Sequence, residues 1–108
     1  MGSVRGQESS RAPLAPPLKN SDWEAAFQVL QEESEVVGKL IGDKVSGLRF
    51  EGWEPLAARP PNYSIKLNVF RESEQSIVVF AWSVDVSARR TRPENQEARD
   101  LFFRLRRQ

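Results

Sequence analysis

Asn62-Tyr63-Ser64-Ile65-Lys66-Leu67-Asn68-Val69 and Ile77-Val78-Val79-Phe80-Ala81-Trp82-Ser83-Val84-Asp85-Val86 decide the fold of this chain. In the first stretch apolar and polar residues alternate, so Tyr63, Ile65, Leu67 and Val69 share one face of a strand. The second is a longer apolar run in which Val78, Phe80, Trp82 and Val84 share a face. The polar residues between them mark a turn, which makes the two strands an antiparallel hairpin.

The register follows from the side chains. If Arg71 lies opposite Ser76, then Val69 faces Val78, Leu67 faces Phe80, Ile65 faces Trp82 and Tyr63 faces Val84. All eight are apolar and on one side. The other side pairs Asn68 with Val79, Lys66 with Ala81, Ser64 with Ser83 and Asn62 with Asp85. A slip of one residue sets the large residues of one strand against the polar face of the other, so this register is favoured. The connecting loop is then Ser73-Glu74, or Glu72 to Gln75.

Working outward, Leu48-Arg49-Phe50-Glu51 alternates as a short third strand, with Trp53 nearby. Pro55 ends it, and residues 55–61, with three prolines, read as a loop. Before it, Trp23, Phe27, Leu30, Val37 and Leu40 or Ile41 recur at helical spacing, with Ala26 beside them. Ser21 and Glu24 have the spacing of a capping box, and the helix is expected from about residue 22 to 37 or 41, stopped at Gly38 or at Gly42-Asp43. At the other end Thr91, Pro93 and Glu94 read as a second capping box. Ala98, Leu101, Phe102 and Leu105 form the apolar stripe of the helix it opens. The expected architecture is therefore α+β: a two-layer sandwich with a three-stranded antiparallel meander and both helices on one face, in the order αβββα.

Residues 1–19 are Gly, Ser, Pro and charge, too poor in apolar surface to offset the entropy of ordering. They are expected to be a disordered leader or linker, with Pro13-Leu14-Ala15-Pro16 matching the PxxP spacing of an SH3-type ligand. Residues 20–108 are expected to form a single domain.

Composition narrows the chemistry. The 108 residues include no histidine and no cysteine. Histidine is the only side chain with an unperturbed pKa near neutrality, and cysteine the best thiolate nucleophile and soft metal ligand. No spacing among the remaining polar residues forms a convergent set, so no enzyme activity, cofactor or metal is expected. Ser83 with Asp85 lacks a base, and Glu32-Glu33-Ser34-Glu35 reads as a solvated helix face. Trp23, Trp53 and Trp82 read as core anchors. No apolar run approaches the length of a membrane span. The absence of cysteine leaves the compartment open.

Acids and bases nearly cancel, at 15 against 16, so no global charge steers the chain onto nucleic acid. The bases are uneven, however: seven arginines lie between residues 89 and 108. Arg89, Arg90 and Arg92 fall at the expected start of the second helix, where unpaired N–H groups and the helix dipole also favour an anion. Alternatively they are a solvated loop. Arg99, Arg104, Arg106 and Arg107, with Phe103 off the apolar stripe, form a second basic group. It either docks a partner or pairs with Glu32, Glu33 and Glu35 of the first helix. The outer sheet face is the third candidate, where Phe70, Ile77, Val79 and Ala81 stand among polar residues. A sheet edge on the first or second strand could also pair with another chain.

Two functions follow as expectations. The leading one is a non-enzymatic interaction or adaptor domain, part of a protein assembly or a homo-oligomer, with Arg89, Arg90, Arg92, Arg99, Phe103, Phe70 and Val79 as partner-binding residues. The alternative is RNA binding. The element order helix, three strands, helix over residues 22–106 resembles the double-stranded RNA-binding domain, in which the basic start of the second helix contacts phosphates. Arg89, Arg90 and Arg92 occupy a similar place. The resemblance is one of element order: Pro93-Glu94-Asn95-Gln96-Glu97 stands in place of that family's lysine-rich helix start, and its histidine-bearing loop has no counterpart.

Overall fold

The computed structural model describes residues 19–106. The leader assigned to residues 1–19 falls almost wholly outside the described residues. The chain is α+β, with the elements α1 (Asn20–Glu33), α2 (Glu35–Ile41), β1 (Leu48–Arg59), β2 (Asn62–Arg71), β3 (Ser76–Asp85), β4 (Arg90–Pro93) and α3 (Gln96–Arg106). The four strands form one antiparallel sheet in the order β1-β2-β3-β4, so the expected three-stranded meander gains a fourth strand.

The central hairpin has the register read from the sequence. Asn62 lies opposite Asp85, Ile65 opposite Trp82 and Arg71 opposite Ser76. The four-residue turn Glu72–Gln75 closes it, and Gln75 takes a left-handed φ of 52°. Ile65, Leu67, Val69, Trp82 and Val84 are wholly buried, and Phe80 and Tyr63 nearly so. They share a core with Ala26, Leu30, Val37, Leu40, Ala98 and Leu101 from the three helices, which therefore all lie on this one face. Of the three tryptophans, Trp82 is wholly buried, while Trp23 and Trp53 flank the core. Phe27 stacks on Trp53 with ring centroids 4.5 Å apart, and Trp23 meets Tyr63 edge-on at 5.2 Å. These aromatic pairs fix α1 across β1 and β2.

Four expectations need correction. The first helix is not continuous: Ser34, with φ −105° and ψ 110°, interrupts it. The buried Ser34 hydroxyl accepts the Val37 N–H at 3.2 Å and so caps α2. A serine side chain that can replace a backbone acceptor competes with helix propagation, and here it wins. The start of α1 also moves. Lys19 is its N-cap, and the Asp22 carboxylate accepts the Lys19 N–H at 3.2 Å, in place of the expected pair Ser21 and Glu24.

The third correction concerns β1. It runs through Pro55 to Arg59, where a loop was expected. Two irregularities, between Phe50 and Gly52 and between Pro55 and Ala57, absorb extra residues along it. β1 is an edge strand, so the N–H that Pro55 lacks would have faced away from β2 and is not missed. Gly52 has φ 154°, a value side chains rarely adopt, and this bulge is where β1 needs its glycine.

The fourth correction lies after β3. Residues 90–93 do not open a helix. Arg90, Thr91, Arg92 and Pro93 pair with Asp85, Val84, Ser83 and Trp82 as strand β4. Asn95, not Thr91, caps the last helix, its Oδ1 accepting the Ala98 N–H at 3.0 Å. The same Oδ1 accepts the Ala81 N–H at 3.1 Å, and Asn95 Nδ2 donates to the Val79 carbonyl at 2.8 Å. The Asn95 side chain thus continues the ladder along β3 where β4 ends, and the chain passes from sheet to helix through only Glu94 and Asn95.

Candidate outer-face site

Register places the side chains of the helix-free face in rows. Arg59, Asn62, Asp85 and Arg90 lie side by side across the four strands. The next row contains Ser64, Ser83 and Arg92, and the following one Glu54, Lys66 and Ala81. At the far end Arg49, Phe70 and Ile77 line up. The face therefore has a polar end rich in arginine and an apolar end.

Two shallow cavities meet at the polar end. One, of about 340 Å3, is lined by Asn62, Ser83, Asp85, Arg90, Thr91 and Arg92. The other, of about 270 Å3, includes Arg59, Asn62, Ser64, Ser83, Arg92 and Glu94. Asn62, Ser83 and Arg92 line both, so the two form one trough. Arg59, Arg90 and Arg92 are exposed and make no ion pair among the described residues. Asp85 is already engaged: its Oδ1 accepts the N–H groups of Ser87 and Ala88 at 2.9 and 3.0 Å, which shapes the turn into β4.

The arginines singled out from the sequence separate. Arg89, with φ 54°, points away from Arg90 and Arg92. Its Nη2 lies 2.7 Å from Glu32 Oε1 and its Nε 2.8 Å from Glu33 Oε2, both on α1. The acidic end of α1 thus meets Arg89 rather than the arginines of α3, and Glu35 pairs instead with Lys39 at 3.8 Å. Hydrogen bonds from Gln28 and then Arg89 hold the Glu32 carboxyl below the ordinary carboxylate range. Hydrogen bonds to Glu32 and Glu33 raise the Arg89 guanidinium. Arg99 Nη1 donates to the Glu94 carbonyl at 2.6 Å and steadies the loop before α3.

Of the apolar candidates, Phe103 is 60 % exposed and touches Phe102 edge-on at 5.7 Å. Phe70 and Val79 are half-buried on the outer face, and the Arg49 guanidinium lies 4.8 Å over the Phe70 ring. Arg107 lies outside the described residues. Sequence reading missed Arg59 and Asn62 as site residues. Arg59 sat in a presumed loop, and only the continuation of β1 past Pro55 sets it in the same row as Arg90.

Among the described residues, no group of three or more carboxylates is placed to hold a metal ion, and no helix is long and apolar enough to cross a membrane. The basic helix start through which the double-stranded RNA-binding alternative would contact phosphates is not formed, because Arg90 and Arg92 belong to a strand and α3 begins at Gln96, and the fourth strand departs from the helix, three strands, helix order on which that resemblance rested. Comparison with protein-family models, curated proteins and solved structures finds no match.

Proposed function

We propose that this chain is a non-enzymatic interaction domain that binds a protein partner through the helix-free face of its sheet. One observation carries the reading: all three helices lie on the other face, and the open one joins arginines without an ion pair among the described residues to an apolar end with Ile77 54 % exposed. An apolar patch beside polar groups on an uncovered face is the composition of a transient interface. The lack of histidine and cysteine supports a binding role over a catalytic one.

The test is a photo-crosslinking amino acid placed at Val79 or Ser83, and at Glu24 on the exposed side of α1 as control, in the source cells. A discrete protein adduct from Val79 and Ser83 but not from Glu24 is expected. Adducts of equal intensity at all three positions, none at any, or adducts to RNA would each overturn it.

A further inference from the structure

We infer that the trough between Arg59, Arg90 and Arg92 holds an extended acidic segment of the protein partner, laid across the strands with carboxylates four residues apart. The inference rests on the sheet face being the docking surface and specifies what the arginine end of it recognises.

Spacing supports it first. Arg59 and Arg90 stand at opposite ends of one row, three strand spacings apart, or about 14 Å between backbones. Arg92 lies two residues further along β4, roughly 7 Å from Arg90. One small anion cannot use all three guanidinium groups without drawing the side chains far inward. The first separation runs across the strands and the second along β4, so a peptide laid across the sheet, whose side chains on one face repeat about every 7 Å, sets carboxylates four residues apart over Arg59 and Arg90, and Arg92 reaches toward it from beside that line. Guanidinium is the cation best suited to a carboxylate, because its planar fork offers two parallel N–H donors.

The charge pattern then separates a peptide from a nucleic acid. Asp85 and Glu94 also line the trough, between and beside the arginines. A nucleic-acid strand carries a phosphate at every nucleotide and must set some of them against these carboxylates. A peptide places its acids selectively and offers backbone N–H groups at the positions between. Tyr63 of β2 lines the second cavity but is only 7 % exposed, its ring edge-on to Trp23, and Phe70 lies at the far end beneath Arg49, so among the described residues no exposed aromatic ring at the polar end is offered for bases to stack on. Base stacking supplies much of the affinity for single strands, so its absence here disfavours them. The Asn62 amide and the Ser64 and Ser83 hydroxyls form the floor between the arginines and have no side-chain hydrogen bond to another described residue.

The test titrates the isotope-labelled chain with a capped octapeptide of Ser with Glu at its second and sixth positions, followed by amide NMR shifts. A Lys and Ser peptide and a single-stranded oligonucleotide of equal charge serve as controls. The acidic peptide is expected to move the amides of Asn62, Ser64, Ser83, Arg90 and Arg92. Arg92→Ala should weaken it about tenfold, the loss of one charge-assisted contact. Arg104→Ala, on the exposed side of α3, should leave it unchanged. Arg92 and Arg104 are exposed, so both variants keep a dispersed spectrum. Shifts mapping to α3, an unchanged affinity in Arg92→Ala, tighter binding of the oligonucleotide, or no shift at millimolar peptide would overturn the inference. The crosslinking at Val79 stands apart from it, since a partner held at the apolar end would still label there.

Discussion

Arg89 grips Glu32 across the molecule: its Nη2 is 2.7 Å from Glu32 Oε1, although the two are 57 residues apart in sequence. Through this contact and the neighbouring one to Glu33, the turn between β3 and β4 is tied to the end of α1. The tie depends on pH in a definite direction. The Glu32 carboxyl is held below its ordinary range by Gln28 and then Arg89, so the contribution is fully present above that range. It is lost as pH falls through the lowered value, while Arg89 stays charged throughout. The protection of the Ser87 to Arg90 amides, measured against the intrinsic exchange rate at each pH, should therefore fall on acidification, and Arg89→Ala should show the lower protection already at neutral pH. Protection in the variant equal to the parent at neutral pH would show that the turn holds itself.

Asn95 does three jobs with one amide: it caps α3, satisfies the Ala81 N–H and donates to the Val79 carbonyl. Truncation leaves all three backbone groups without this partner, two of them beside the half-buried strand. Asn95→Ala should cost about 1–3 kcal/mol in urea denaturation, the range for a lost cap and unsatisfied backbone groups. Asn95→Asp keeps both acceptor contacts but sets a carboxylate oxygen against the Val79 carbonyl. It should fall between the parent and the alanine variant. An aspartate variant as stable as the parent would assign the whole effect to the two acceptor contacts and none to the donation to Val79.

Leu67 is wholly buried between Trp53 of β1 and Phe80 of β3, its neighbours in register. Leu67→Ala removes apolar contacts and leaves a cavity beneath the helices, at a cost of about 2–5 kcal/mol. For a chain of this size that is a large share of the total stability. Thermal unfolding followed by tryptophan fluorescence measures it. Lys66→Ala, one residue away on the outer face, should shift the midpoint little, because its pair with Glu54 is exposed.

How far the sequence was legible depended on how many residues carried each signal. Eight apolar side chains on one face of β2 and β3 agreed on one register, and a single slip would have cost all of them. The ends of elements rested on one or two residues, where rival readings are close in energy. Thr91 and Pro93 match a helix start, but four backbone pairs to β3 and the stronger cap at Asn95 took residues 90–93 into the sheet. Ser34 looked like part of a wet helix surface until its burial and its bond to Val37 set it as a break. The site suffered from the same uncertainty. Arg90 and Arg92 were found as charges, but Arg59 joined them only through a strand that continues past a proline.

The open edge of that strand carries features that oppose pairing with a second copy. β1 presents twelve residues to solvent along one side, a length that would invite pairing if it were flat. Three features oppose this. Pro55 removes a donor, the irregularity between Pro55 and Ala57 breaks the ladder, and the Asp43 carboxylate accepts the Phe50 N–H at 3.0 Å. Deleting Leu56, the unpaired and half-exposed residue of that irregularity, would leave Pro55 opposite Ile65 and Ala57 opposite Ser64 in an unbroken register. Combined with Pro55→Thr, the deletion should restore a regular hydrogen-bonding edge and produce concentration-dependent association in sedimentation velocity. The parent should not associate through this edge, and Pro55→Thr alone should have the smaller effect because the bulge still twists the strand. A double variant that sediments like the parent at high concentration would mean that the charges of Arg49, Glu51, Glu54 and Arg59 are enough to guard the edge by themselves.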